Sequence, residues 1–215
     1  MKINPIVVQT LVLSQRGSAV LLGKWRGGTL MGRYTGLLGA AHRAEPPRRA
    51  AVRVAAALVP QLPPLQPERL EPRAIFDFHE LPPKGIPSNP YNGEVGSEVC
   101  STTELQYVYR LHDDEAAVGV YGGSGGGGDS VGGGIPYSLE GSQLEPQWFP
   151  LADIPYDFMP ADDREWYPQV LDPEGPCLTG SFSFRGTTLL DHTMEELSPS
   201  SLAWAQAIGP DDNTL

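Results

Sequence analysis

Hydrophobic positions along this chain fall into short runs that are separated by turns rich in glycine, proline and polar residues. The first run, Ile6–Leu13 (IVVQTLVL), is almost continuously apolar and β-branched, which is typical of a strand. A turn at residues 15–17 separates it from a second apolar run at residues 19–22. An opening β-hairpin is therefore predicted.

A first helix is predicted to begin at Pro46 and Pro47, because proline is tolerated in the first turn, and to end at Pro60. Its expected apolar stripe consists of Ala50, Val54, Ala57 and Leu58. The other predicted elements are strands near residues 37–38 and at residues 74–81, 103–111 and 147–151, a helix at residues 162–171, a hairpin of residues 177–184 and 187–193, and a helix at residues 198–207 with Ser198 as its cap.

The order of these elements predicts an α+β fold with a mixed sheet and helices on both faces. A length of 215 residues with 25 Gly and 22 Pro suits one domain that carries insertions. We expect a domain over residues 1–197, with insertions at residues 82–101 and 116–142, and a C-terminal extension at residues 198–215. Residues 61–72 are predicted to form a proline-rich connector.

The net charge of −11 argues against nucleic acid or an anionic membrane as the main partner. Cys100 and Cys177 show neither metal-ligand spacing nor a disulfide framework, so reduced thiols in a cytosol-like compartment are expected. No apolar run approaches the roughly 20 residues that span a bilayer, and the N-terminus does not have the composition of a targeting sequence. We expect a cytoplasmic location, or one within a cytosol-facing assembly such as the cytoskeleton or the cilium.

Three segments resemble the Nudix superfamily, and within it the MutT-homologue branch of 8-oxo-dGTP diphosphatases, which hydrolyse oxidised purine nucleoside triphosphates. They are LLGKWRGGTLMGRYTGLLG at residues 21–39, WFPLADIPYDFMPADDREWYPQVL at residues 148–171 and GSFSFRGTTLLDHTMEEL at residues 180–197. The resemblance covers roughly residues 6–197 apart from the two insertions. It implies an α/β/α sandwich around a mixed sheet.

The family's signature is G-x5-E-x7-R-E-U-x-E-E-x-G-U, with U a bulky apolar residue, and its glutamates hold Mg²⁺ or Mn²⁺. Gly39, Glu45 and Arg53 match this pattern, whereas the later glycine is replaced by Pro60. The positions that should carry metal-binding acids are occupied by Val54, Ala57, Leu58 and Gln143. Since one remaining acid is too few for a tight Mg²⁺ site, we expect no catalytic residues, and a metal at Glu45 only if a site survives.

The resemblance also implies a base-recognition pair at Asp162 and Asp163, in which one carboxyl stays protonated when buried. The alternative interpretation is that either aspartate caps the following helix. Three other pocket positions differ from the family: a stacking tryptophan is replaced by Pro160, a base-pairing asparagine by Thr35 and a phenylalanine by Thr29. Asp162, Asp163 and Thr35 are therefore the candidate nucleotide-binding residues.

A basic patch at Arg48, Arg49 and Arg53 is compatible with direct phosphate binding. The preferred interpretation is an exposed helix face on which Arg53 pairs with a nearby acid. The four histidines show no metal spacing.

These observations favour a catalytically inactive Nudix-fold protein that serves as a structural or protein-binding subunit of a larger assembly. Two alternatives stay open: a hydrolase of modified purine nucleoside triphosphates with a rebuilt Mg²⁺ site, and a nucleotide sensor without turnover. We expect protein partners and no cofactor, with a nucleotide as a further candidate ligand.

Overall fold

The computed structural model describes residues 5–14, 17–82, 102–112, 143–198 and 200–201. Two helices pack against one mixed sheet in this part of the chain. The strands are β1 (Ile6–Leu13), β2 (Ala19–Trp25), β3 (Tyr34–Thr35), β4 (Leu37–Ala40), β5 (Leu70–Glu80), β6 (Thr102–His112), β7 (Leu144–Pro150), β8 (Leu178–Arg185) and β9 (Thr188–Glu196), and the helices are α1 (Pro47–Leu58) and α2 (Asp163–Leu171).

The sheet runs in the order β3-β2-β1-β6-β5-β8-β9, with β7 paired to β2 and β4 paired to β1. The β1–β6 and β5–β8 pairs are parallel and the others are antiparallel. The core of β1 is almost fully buried, which explains its nearly continuous apolar sequence. The prediction of a mixed sheet is confirmed.

Alternate residues of β1 enter two separate cores on opposite faces of the sheet. Val8 and Val12 pack in the core that contains α1, whereas Leu11 and Leu13 pack in the core that contains α2. This division follows from the two-residue period of a strand. The prediction of helices on both faces is confirmed.

The sheet splits between β1 and β2, and the split forms the base of the site described below. β3 pairs with β2 and β4 pairs with β1, so the chain crosses from one strand to the other at Gly36. A Cβ atom at Gly36 would lie 2.6 Å from Leu11 Cδ2 and 2.9 Å from Gln9 Nε2. Only glycine lets the crossing backbone approach β1 this closely.

Most predicted elements are present, but the prediction of a connector over residues 61–72 is wrong at its C-terminal end. Strand β5 begins at Leu70, and Pro72 lies within it. The register between β5 and β6 shifts between Pro72 and Ala74, and such an irregularity accommodates a proline that has no N–H to donate.

The predicted stripe on α1 is also partly wrong. Ala50 and Val54 are buried as expected, but Ala57 is exposed and Leu58 is only half-buried. Ala51 and Ala55 face the core instead. Because five of the twelve residues of this helix are alanine, its apolar side could not be read reliably from spacing.

Several predictions fall outside the described residues. They concern most of both insertions, Cys100, and nearly all of the helix predicted at residues 198–207 and the C-terminal extension. Among the described residues, no helix has the length and apolar character that crossing a membrane requires.

Candidate ligand-binding site

A cavity of about 920 Å³ opens beside the N-terminal end of α2. This volume is within the range of roughly 300–1,000 Å³ that is usual for small-molecule sites. The lining combines side chains from the sheet, the β2–β3 loop and the segment before α2. The residues that line it are Gln9, Thr29, Leu30, Arg33, Thr35, Leu38, Phe78, Glu80, Gln106, Tyr156, Asp157, Met159, Pro160, Ala161, Asp162, Asp163, Arg164, Phe184, Gly186 and Thr187.

The floor of the cavity is a buried polar network centred on the Tyr167 hydroxyl. That oxygen accepts hydrogen bonds from Gln9 Nε2 at 2.8 Å and from the backbone N–H of Gly36 at 2.8 Å. Gln106 Nε2 in turn donates to Gln9 Oε1 at 2.5 Å. The network joins α2 to the crossing between β3 and β4, so the floor has a fixed shape.

Asp162 stands at the N-cap position of α2, yet its side chain makes no capping hydrogen bond. Its Oδ2 accepts a hydrogen bond from the indole N–H of Trp166 at 3.0 Å. Burial raises the pKa of Asp162, although the Trp166 hydrogen bond opposes this shift. The interpretation of Asp162 as a helix cap is therefore wrong, because the carboxylate is turned towards Trp166.

Asp163 is the first residue of α2 and is only 2% exposed. Its Oδ2 atom is buried and has no hydrogen-bond partner in the described structure. Burial raises the pKa of Asp163 well above its usual range, and the neighbouring Asp162 carboxylate adds to this shift. A protonated Asp163 would give the cavity a hydrogen-bond donor beside the acceptor oxygens of Asp162.

The three pocket positions at which the sequence departs from the family lie around this cavity. Thr29, Thr35 and Pro160 all line it. The Thr35 hydroxyl accepts a hydrogen bond from Trp25 Nε1 at 2.8 Å and donates to the Gly36 carbonyl at 2.7 Å. Its proton is thus already used within the protein, which limits what Thr35 could offer a ligand.

Two arginines sit at the cavity, and each already has a partner. Arg33 Nη1 donates to the Met159 carbonyl at 2.8 Å, which ties the β2–β3 loop to the segment before α2. Arg164 Nη2 lies 2.7 Å from Asp157 Oδ1 in an exposed ion pair.

The other end of α2 is held by two buried arginines. Arg110 Nη1 donates to the carbonyls of Val170 at 3.3 Å and Asp172 at 2.8 Å, and Arg73 Nη2 donates to those of Asp172 at 3.1 Å and Gly175 at 2.6 Å. Both arginines also form ion pairs with Glu71. These bonds satisfy carbonyls that a helix end leaves free and so fix the position of α2.

The retained residues of the signature form a brace before α1. Glu45 accepts hydrogen bonds from Arg53 Nε at 2.9 Å, Arg53 Nη2 at 2.7 Å and the His42 N–H at 2.8 Å. The hydrogen bonds from Arg53 are the main reason that the pKa of Glu45 is lowered to about 2. Arg53 also donates to the Ala40 carbonyl at 2.9 Å. The predicted pairing of Arg53 with a nearby acid is confirmed.

The positions of the missing acids differ in their surroundings. Val54 is buried against Gly39, where an added Cβ atom would lie 2.9 Å from the valine methyl groups. Ala57 and Gln143 are exposed, and Leu58 is half-buried. Within the described ranges, no group of three or more His, Cys, Asp and Glu residues is placed to hold a metal ion. The donor set present here does not fit Mg²⁺.

Three residues that form the cavity floor were not singled out from the sequence. Gln9 interrupts a nearly continuous apolar strand, and this interruption is a usable signal, whereas Gln106 lies in a strand that also carries Glu104 and Arg110. Tyr167 stands in the predicted helix at residues 162–171 with no polar role indicated by the sequence. It is fully buried, but its hydroxyl also organises the floor.

No protein-family model matches the sequence. In fold, the chain is similar to the mutator MutT protein of Bacillus halodurans, with a TM-score of 0.57 and 14% identity over 89% of this chain and 97% of that one. It is also similar to a MutT Nudix hydrolase of Burkholderia pseudomallei, with a TM-score of 0.43 and 18% identity over 72% of this chain and 88% of that one. The first match shows that this chain has the Nudix fold.

Proposed function

We propose that this Nudix-fold chain does not catalyse metal-dependent hydrolysis and that it binds a purine-type ligand in the cavity beside α2. The observation that carries the first half is the engagement of Glu45. Both of its oxygens accept hydrogen bonds from Arg53, and one also accepts from the His42 N–H. The last acid of the signature is thereby used to brace the loop before α1.

The rest of the signature supports the loss of hydrolysis. Mg²⁺ requires oxygen ligands, usually one or two carboxylates together with substrate phosphates. Val54, Ala57 and Leu58 supply none. Removing a catalytic metal takes away several kcal/mol of transition-state stabilisation and the means of activating water.

The buried polar groups of the cavity support the second half of the proposal. Leaving a buried polar atom without a partner costs about 1–3 kcal/mol, so such atoms call for an explanation. Asp163 Oδ2 is such an atom, and it lies in a residue that lines a cavity. A ligand with a complementary donor and acceptor edge, as a purine has, would satisfy Asp163 and Asp162 together.

Hydrolysis is tested by incubating the purified chain with 8-oxo-dGTP and Mg²⁺ or Mn²⁺ and measuring pyrophosphate release. We expect no release above that of the buffer. Turnover that disappears in a Glu45→Gln variant would contradict the proposal. Turnover that this variant leaves unchanged would not depend on the signature's one remaining acid.

Binding is tested by the shift in melting temperature that purine compounds produce. An Ala161→Trp variant places a large ring at an exposed position of the cavity lining, and we expect it to abolish the shift. Ala56→Trp is the matched control, because Ala56 is exposed on α1 and does not line the cavity. Equal shifts in both variants would mean that the ligand binds elsewhere.

A second candidate function is that of a protein-binding subunit, and exposed apolar side chains favour it. Met31 is 72% exposed and Phe158 is 62% exposed, and each is a sequence neighbour of residues that line the cavity. Exposed apolar side chains that form a contiguous patch are typical of interaction surfaces, and we propose that these two residues belong to such a patch. Size-exclusion chromatography of native extract tests this role: elution as a free monomer would count against it, and a complex lost in a Met31→Ser/Phe158→Ser variant would support it.

A further inference from the structure

We propose that the ligand of the cavity is an uncharged nucleobase or nucleoside rather than a nucleoside phosphate. This inference rests on the proposed binding function and specifies its ligand class. The first observation is the charge of the lining. Among the described residues, four acids line the cavity (Glu80, Asp157, Asp162 and Asp163), against two bases (Arg33 and Arg164).

Both bases already have a partner within the protein. Arg164 is paired with Asp157, and Arg33 donates to the Met159 carbonyl. Phosphate sites in proteins usually combine cations and helix N-termini that together offset the charge of the phosphate. Two acids, Asp162 and Asp163, stand at the start of α2, and an ionised Asp162 repels an anion.

The basic residues near α1 lie outside the cavity lining. Arg48 and Arg49 belong to the first turn of α1, and neither lines the cavity. Arg53 is occupied by Glu45. The acids that would recruit a divalent cation to neutralise a phosphate chain are missing from α1 as well. The described residues would therefore neutralise little of the negative charge of a triphosphate attached to a base in the cavity.

The rest of the lining suits a planar, uncharged molecule. Phe78 and Phe184 line the cavity, and their rings are 6.1 Å apart at an interplanar angle of 24°. Leu30, Leu38 and Met159 add apolar surface, and the amides of Gln9 and Gln106 lie among the polar groups. Apolar and aromatic walls with a few fixed polar groups are typical of sites for neutral small molecules.

The test is calorimetry of the full chain with guanosine, GMP and GTP and with adenosine, AMP and ATP, each with and without Mg²⁺. We expect a nucleoside to bind most tightly, and its affinity to fall at least about tenfold on adding the first phosphate, which equals about 1.4 kcal/mol. Mg²⁺ should leave the affinity of the nucleoside unchanged. A triphosphate that binds as tightly as the nucleoside would overturn this inference and leave the binding function standing. If no compound binds, the binding function fails and this inference fails with it.

A pair of variants tests the electrostatic cause. Asp157→Asn removes one acid of the lining and releases Arg164, so the ratio of nucleoside to monophosphate affinity should narrow by at least about threefold. Asp153→Asn is the matched control, because Asp153 is exposed in the same segment and does not line the cavity. If the ratio of nucleoside to monophosphate affinity changes equally in the two variants, the charges that line the cavity are not the cause of the preference.

Discussion

Glu45 and Asp163 are both acids at the start of a helix, but the protein surrounds them in opposite ways. Glu45 is provided with three hydrogen-bond donors, and its pKa falls to about 2. Asp163 is buried, keeps one oxygen without a partner, and has a raised pKa. The first acid matches a position of the family signature, and donors of the protein itself bind both of its oxygens. The second retains bonding capacity that the protein itself does not use.

The comparison teaches that a retained motif residue is not by itself a sign of retained chemistry. Gly39, Glu45 and Arg53 keep the loop before α1 in place, and the fold needs this with or without a metal. An unsatisfied buried atom points more directly to a ligand, because its cost has to be offset by something. The following experiments compare the two regions, beginning with the largest expected effect.

The position of the cavity depends on the buried arginines at the far end of α2. Arg110→Ala should lower the free energy of unfolding by about 3–5 kcal/mol, because it removes the buried member of an ion pair with Glu71 and the hydrogen bonds to the Val170 and Asp172 carbonyls. Urea denaturation measures the loss. Arg164→Ala, which breaks an exposed ion pair on the same helix, should cost roughly 0–1 kcal/mol. Similar losses in the two variants would mean that the buried bonds do not fix α2.

The hydrogen bonds to Glu45 before α1 should contribute less to stability than the buried arginines at the far end of α2, but their contribution should be measurable. Glu45→Gln should lower the free energy of unfolding by about 1.5–3 kcal/mol at neutral pH, because hydrogen bonds to a charged group are lost. The pKa of Glu45 is lowered on folding, so its contribution is present above pH 4.5 and is lost as pH falls towards 2.

Urea denaturation at several pH values tests this brace. The difference between wild type and Glu45→Gln should shrink on acidification. Glu145→Gln is the control, because Glu145 forms a looser, largely exposed pair with Arg26 at 3.7 Å. A difference that stays constant with pH would count against the charged brace.

Asp163 should make the stability of the protein depend on pH in the direction opposite to that expected for Glu45. Its pKa is raised on folding above the ordinary value of 3.8, so the folded state keeps a proton that the unfolded chain releases. Stability should therefore decline as pH rises above 3.8, by up to about 1.4 kcal/mol per pH unit while the two states differ by one proton. Asp163→Asn should remove this part of the decline, whereas Asp153→Asn on the surface should retain it. Parallel stability profiles of wild type and Asp163→Asn would argue against a buried, protonated Asp163.

The smallest effect is expected on the exposed side of α1. Ala57→Glu restores one acid of the signature in the last turn of the helix, where it meets the negative end of the helix dipole at a cost of about 0.3–1 kcal/mol. Ala57→Gln should avoid this cost. Mg²⁺ should not change the melting temperature of either variant, since a single added carboxylate does not complete a site. A Mg²⁺-dependent rise in Ala57→Glu alone would show that the metal site is closer to intact than we infer.

The sequence predicted the fold well where strands are long and apolar, and poorly where prolines or alanines blur the pattern. β1 matches its predicted bounds, because a nearly continuous apolar run has one plausible structure. β5 begins earlier than predicted because Pro72 was taken as a sign of a loop. The buried side of α1 was misjudged because a small alanine can be accommodated on any face of a helix.

The two aspartates of the candidate site could be predicted from the sequence, but the polar network at the base of the cavity could not. Asp162 and Asp163 could be picked out from the resemblance, and the structure places both at the cavity. Tyr167 could not, because sequence does not reveal which buried tyrosine has its hydroxyl beside a crossing strand. That arrangement depends on three segments that are far apart in the chain and meet only after folding.

The hydrogen bonds to the hydroxyl oxygen of Tyr167 limit which substitutions can be accepted around it during evolution. It serves Gln9, whose side chain can be exchanged, and Gly36, whose N–H belongs to the backbone and cannot be. A change of Tyr167 to phenylalanine would leave both donors without their acceptor. A second substitution could remove the donor at position 9 but not the backbone N–H at position 36. Among relatives of this chain, positions 9 and 167 should therefore vary together, and proline should be absent from position 36 wherever the tyrosine persists.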